Sequence, residues 1–197
     1  MTDSAASATG HGSMRDARLI ETEVILPKPK RFLREALSMP DGARVDWYYL
    51  DTPSSVMVIP ITAEGRLVLV RQYRHNLKCH TLELPAGTLD RDEKPEQAAL
   101  RELEEETGHK MAHDAVLRSL GSYYSLPSET NRYTHYYIAE PVVRIGVPAG
   151  DTVIEKYFDM SVVDIPVSKA YEAIGSLING IETVGALLLA REHIHAR

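Results

Sequence analysis

The sequence predicts a mixed α/β domain, with a mixed β-sheet sandwiched between helices. Apolar segments of strand length come in pairs around turn signals. One segment of helical period, bracketed by Pro95 and Gly108, interrupts them, and two amphipathic segments follow the last strand. The order strands, helix, strands, helices is not the regular alternation that gives a purely parallel sheet.

The elements follow in order. Residues 1–15, within "MTDSAASATGHGSMRD", are small and polar, lack the apolar core of a signal peptide, and are set aside as a disordered tail or cloning remnant. Residues 16–52 form an N-terminal strand segment: "RFLREALSM" and "ARVDWYYL" flank the turn Pro40–Gly42. An isolated hairpin is marginal in water, so its apolar face calls for a partner. Residues 53–197 form the main domain. "SSVMVIPI" and "RLVLVRQY" flank "TAEG" as a second hairpin, and "TLELPAG" is a short strand ending in a bend. "KPEQAALRELEEET" is the helix, with Pro95 in its first turn and Gly108 at its stop. "VLRSLGSYYS" and "RYTHYYIAE" are strands around the polar loop "LPSETN"; the loop "PVVRIGVPAGDT" leads to the strand "IEKYFDMSVVDI". "VSKAYEAIGSLI" and "TVGALLLAREHI" are helices separated by Asn179-Gly180.

Composition narrows the function. The 197 residues are 44% hydrophobic and 25% charged, enough for one sizeable core. A formal net charge of -6 argues against general nucleic-acid or anionic-membrane binding. Cys79 is the single cysteine, which excludes an internal disulfide and a cysteine-cage zinc site and fits a reducing cytoplasm. No segment is long and apolar enough to cross a bilayer.

"RELEEETG", Arg101–Gly108, places four glutamates in five positions. Like charges three or four residues apart on a helix repel, so a chain that keeps Glu102, Glu105 and Glu106 on neighbouring faces needs the charge. Three carboxylates there suit a hard divalent cation, and the lack of a Cys/His cluster disfavours zinc. The competing reading, a solvated acidic helix, leaves unexplained the glycine loop at fixed distance.

The stretch Gly87–His109 resembles the Nudix box: glycine, five residues, glutamate, seven residues, Arg-Glu, an aliphatic residue, any residue, Glu-Glu, any residue, glycine. Gly87, Glu93, Arg101, Glu102, Leu103, Glu105, Glu106 and Gly108 fall in register. His109 departs from the family's bulky apolar residue, in a slot that packs. The resemblance implies a Nudix fold and a magnesium-dependent hydrolase, with manganese as a substitute. It implies Glu102 and Glu106 as metal ligands, Glu105 as ligand or base, and Arg101 and Glu93 as structural supports. "VRQYRHN" and "LELPAGTLD" resemble the ADP-ribose and nucleoside diphosphate sugar pyrophosphatase branch, which adds the Ala86 carbonyl as a ligand.

In that branch Arg74 aligns with an arginine that meets the substrate diphosphate, and Arg71 is a further candidate; the alternative for Arg74 is an ion pair with Glu83. "YYSLPSETNRYTH" keeps Pro127 of the branch's substrate loop but not its flanking serine and glycine, and Glu129 is the candidate there for sugar hydroxyls. Glu155 in "AGDTVIEKYF" is a candidate base, with Asp151 and Glu105 as rivals. The likeness also implies a homodimer formed through the N-terminal hairpin, with base recognition near Trp47 or Tyr48. The alternatives are a Nudix hydrolase of dinucleoside polyphosphates or coenzyme A, and a catalytically silent nucleotide sensor. Millimolar magnesium is expected to raise the melting temperature, and Glu102→Gln with Glu106→Gln is expected to abolish the rise; an unchanged rise on thermal denaturation would remove the metal site from this helix.

Overall fold

The structure is a computed structural model that describes residues 13–28, 30–148 and 157–194. It divides into two compact units, one of residues up to Thr52 with Leu126–Arg132, the other of Pro53–Ser125 with Tyr133 onward.

The first unit is an antiparallel sheet of β1 (Arg18–Leu26), β2 (Arg31–Ser38) and β3 (Arg44–Asp51), in that order. The predicted hairpin is β2–β3, with register Arg31↔Asp51 to Ser38↔Arg44. β1 is an addition. Its sequence "RLIETEVIL" has broken alternation and every residue is exposed, so no buried face announces it. Charge pairs bind it: Arg34 on β2 lies 2.8 Å from Glu23 on β1 and 3.1 Å from Asp46 on β3. Trp47 and Tyr48 are exposed, and Tyr48 stacks on Phe32. The 126–132 segment joins this unit through Leu50 N–H to the Glu129 carbonyl at 2.8 Å.

The second unit is built on β4 (Ser55–Thr62) and β5 (Arg66–Arg74), followed by β6 (Cys79–Glu83), β7 (Ala86–Thr88), α1 (Pro95–Thr107), β8 (His109–Tyr124), β9 (Tyr133–Arg144), β10 (Ser161–Pro166), α2 (Val167–Glu172) and α3 (Ile181–Ile194). The sheet runs β10-β5-β4-β9-β8, with β6 on β5 and β7 on β4. Only β4–β9 is parallel, so the sheet is mixed.

β4 explains the layering. Seven of its eight positions are buried, as expected of a strand covered on both faces. Met57, Ile59 and Ile61 join the cluster containing Ala186, Leu187 and Ala190 of α3 and Ala170 of α2. Val56 and Val58 join the cluster containing Ala98, Ala99 and Leu103 of α1. Successive strand residues face opposite sides, so one strand anchors both helical layers.

β4 also places the site. It pairs with β5 at Ile61↔Leu67, but its Ser55–Met57 end pairs with β7 instead. The two strands of the hairpin splay, and the Pro85 bend enters the gap, with Val58 N–H donating to the Pro85 carbonyl at 2.9 Å.

Several boundaries differ from expectation: β8 begins at His109, directly after the helix, rather than at Val116. β9 runs on through Pro141–Arg144, because Met111, Lys110 and His109 of the long strand β8 supply partners there. The strand after the loop begins only at Ser161, and Ile154–Lys156 lie outside the described residues. α2 stops at Glu172, soon before Gly175, whose φ of 81° turns the chain out of the helix.

Candidate active site

α1 is fastened at both ends. The Lys94 N–H donates to the Gln97 side chain at 3.4 Å, and Pro95 opens the helix where its missing N–H costs nothing. Gly108 closes it at φ 66°, and a Cβ there would come within 2.7 Å of the Gly146 carbonyl oxygen. With Ala98, Ala99 and Leu103 buried in the core, the glutamates meet the β7 backbone. Glu106 Oε2 accepts the Ala86 N–H at 2.9 Å. The Glu102 carboxylate lies directly over Gly87: a Cβ on that residue would fall 1.8 Å from Glu102 Oε1. Glycine is required here for space, not for a special backbone angle.

Arg101 joins the helix to the preceding loop. Its Nε and Nη2 form a fork on Glu93 at 2.9 and 3.0 Å, and Nη2 also reaches the Thr88 carbonyl at 3.1 Å. Its Nη1 takes Glu102 Oε1 and Glu105 Oε2, each at 2.8 Å. Glu93 in turn accepts the Asp90 N–H at 3.0 Å. The hydrogen bond from Arg101 holds the Glu93 carboxyl below the ordinary glutamate range. Burial lifts Glu102 above that range, opposed by Arg101 and helped by the charges of Glu105 and Glu93. Repulsion among the glutamates is therefore already offset by one guanidinium, which sequence spacing alone did not disclose.

Arg74, on β5, forms the second ionic centre. Its Nε and Nη2 grip Glu83 of β6 at 2.9 and 2.5 Å, and Thr81 Oγ1 adds a bond to Glu83 at 2.5 Å. The bond to Glu83 raises the Arg74 pKa, with smaller contributions from the charges of Glu106 and Glu182. Burial pushes Glu83 up, but Arg74 and Thr81 outweigh it and leave the carboxyl below its usual range. The Glu83 ion pair weighed from sequence is thus present, and the guanidinium stands within the field of the Glu106 charge.

Comparison with known proteins bears on this arrangement. Residues 51–173 match the model of the NUDIX domain. The chain belongs to the NUDIX family. It is 30% identical over 128 residues to an ADP-ribose pyrophosphatase of Bacillus subtilis, covering 65% of this chain and 68% of that one. It is 33% identical over 130 residues to a methanol dehydrogenase activator of Bacillus methanolicus, covering 66% and 69%. Among solved structures, one described as an ADP compounds hydrolase superposes with a TM-score of 0.75 at 23% identity, over 92% of this chain and 96% of that one, and it shows the same fold. As a Nudix hydrolase the chain acts on phosphoanhydride bonds, and hydrolases of this family generally use divalent cations.

The Nudix residues fit such a cation in kind. All the donors are oxygen, as a hard cation prefers. Two of the carboxylate oxygens already meet on a single cationic nitrogen, and Gly87 leaves room for the Glu102 carboxylate against β7. Their present orientation is directed to Arg101 and Ala86, and among the described residues no three His, Cys, Asp or Glu side chains are grouped as a metal cage. Arg101 Nη1 holds one oxygen of Glu102 and one of Glu105, while its other edge is anchored on Glu93.

Of the remaining candidates, Arg71 is half-exposed on β5, with Nη1 3.9 Å from Asp159. Glu129 belongs to the first unit and is not among the residues the second unit gathers. Glu155 and Asp151 lie outside the described residues. His109 is buried, at 7% exposure, in its apolar slot, because Nδ1 lies 2.9 Å from the Thr107 carbonyl oxygen, where it donates. Glu182, at the start of α3, was not singled out from sequence, since its charge reaches Arg74 only through the fold.

Gly87→Ala is expected to displace the Glu102 carboxylate while leaving the core intact, because the end of a flexible side chain can move where backbone cannot. Thermal denaturation should show a melting temperature close to wild type in chelator, and less than half the wild-type gain on adding magnesium. A collapse in chelator would show that the close approach is needed for folding itself.

Proposed function

We propose that the protein is a magnesium-dependent pyrophosphohydrolase that cleaves ADP-ribose or a nucleoside diphosphate sugar to a nucleoside monophosphate and a sugar phosphate, with manganese able to substitute. The observation that carries this is the meeting of the Nudix glutamates with the backbone at Ala86 and Gly87. The Bacillus subtilis relative named for ADP-ribose supports the substrate.

Glu102, Glu105, Glu106 and the Ala86 carbonyl hold the cation, which when bound would polarise the diphosphate and help ionise the attacking water. Arg101 and Glu93 keep the glutamates oriented. Arg74 exchanges Glu83 for the substrate diphosphate, whose paired oxygens suit a guanidinium fork, and Arg71 lies on the same strand. Glu105 or Glu155 takes the proton from water. Glu129 binds a sugar hydroxyl.

The protein acts in the cytoplasm as a homodimer. Leu19, Ile20, Val24, Ile25 and Leu26 of β1 are all exposed, an apolar strand that a second copy would cover. Light scattering at micromolar concentration is expected to give twice the chain mass; a monomer would remove the dimer. No helix among the described residues is long and apolar enough to cross a membrane.

The activity is tested with a panel in magnesium: ADP-ribose, ADP-glucose, UDP-glucose, GDP-mannose, a dinucleoside tetraphosphate and coenzyme A, read as phosphate released after phosphatase coupling. The expected result is strongest turnover of ADP-ribose or a nucleotide sugar, with Glu106→Gln reducing it at least a hundredfold. Strongest turnover of the tetraphosphate or coenzyme A would replace the substrate assignment. Silence across the panel from folded, magnesium-binding protein would favour a nucleotide sensor.

A further inference from the structure

Glu83 has more partners than an ion pair needs. β5 and β6 are antiparallel, with Gln72 opposite Thr81 and Val70 opposite Glu83. Side chains alternate along a strand, so Gln72, Arg74, Thr81 and Glu83 share one face. On that face Glu83 Oε1 accepts from Arg74 Nε at 2.9 Å and from Thr81 Oγ1 at 2.5 Å. Its Oε2 accepts from Arg74 Nη2 at 2.5 Å and, over a longer 3.4 Å, from Gln72 Nε2. Four donors fill the capacity of a carboxylate.

The single Thr81 proton has two acceptors in reach, Glu83 Oε1 and the Gln72 carbonyl at 3.4 Å. The shorter contact, to the charged group, takes it. Each oxygen of Glu83 therefore holds one donor from Arg74 and one neutral donor from another side chain. That pairing matters when the arginine is withdrawn. The Glu83 side chain is 19% exposed and that of Arg74 40%, so the acid is the enclosed partner and the guanidinium the accessible one. An enclosed carboxylate stripped of every donor costs far more than one that keeps a donor on each oxygen.

We infer that Thr81 is a positioning residue for the hydrolysis: with Gln72 it keeps the Glu83 carboxylate satisfied and in place when Arg74 leaves for the substrate diphosphate, and so sets how tightly the diphosphate binds. The inference rests on the proposed exchange of Arg74 between Glu83 and substrate. Thr81 acts through Glu83 and touches no reacting atom, so its contribution is to binding and not to the chemical step. The competing account is that the hydroxyl only stabilises β6. The two differ in what an isosteric change does, since valine keeps the shape and strand preference of threonine and removes only the donor.

The test compares Thr81→Val and Thr81→Ser with wild type, in the full chain and in millimolar magnesium. Calorimetric titration with inorganic pyrophosphate reads binding, and turnover of the best substrate of the panel gives KM and kcat. Thr81→Val is expected to weaken pyrophosphate binding and raise KM about three- to tenfold, with kcat within about twofold of wild type. Thr81→Ser, which restores the donor, should keep both affinities although serine suits a strand less well. If Thr81→Val loses its melting transition, Thr81→Ala is measured in its place with the same expectation. Unchanged affinity in Thr81→Val, an equal loss in Thr81→Ser, or a fall confined to kcat overturns the inference, as does a wild type that binds no pyrophosphate. Pyrophosphate binding without turnover of any panel substrate would fail the hydrolase reading instead, and the affinities of the two variants would still decide the role of Thr81.

Discussion

The site depends on how one guanidinium is shared. Arg101 Nε and Nη2 belong to the loop through Glu93 and Thr88, and Nη1 belongs to the helix through Glu102 and Glu105. Without it, three acids on adjacent faces of α1 would repel one another and the loop from Gly87 to Lys94 would lose its strongest tie to the helix. The division also separates two duties. The fork on Glu93 holds the loop, and the two bonds at Nη1 hold the glutamates.

That arrangement rests on a packing feature further in. β4 is buried on both faces, and alternate residues lock α1 to one side and α2 with α3 to the other. Its separation from β5 admits the Pro85 bend and lets β7 take over as partner. The backbone at Ala86 and Gly87 is thus set against the glutamates by the sheet, while α1 is set against the same sheet by Ala98, Ala99 and Leu103. Both halves of the site share one rigid reference, as a site requiring close placement needs.

The ionic design is lopsided by intent of the fold. Arg101 faces three acids, Glu93, Glu102 and Glu105, while Arg74 is forked on Glu83. Burying such charge is costly unless something compensates it. A NUDIX-family hydrolase, whose chemistry calls for divalent cations, has a use for a site that is short of positive charge.

The sequence by itself determined what is local. The helix Pro95–Thr107, its glycine stop, the β4–β5 hairpin and the register of Gly87, Glu93, Arg101, Glu102, Glu105 and Glu106 were legible, because they depend on period, caps and fixed spacing. β1 was not legible, since its exposed residues carry no alternation and it is held by charge pairs from β2. Tertiary structure alone decided that Gly87 must lack a side chain, that Glu102 and Glu105 converge on Arg101 Nη1, and that Arg74 engages Glu83. The physical reason is that spacing along one helix places side chains on a face, but only packing against another element determines which charges that face meets.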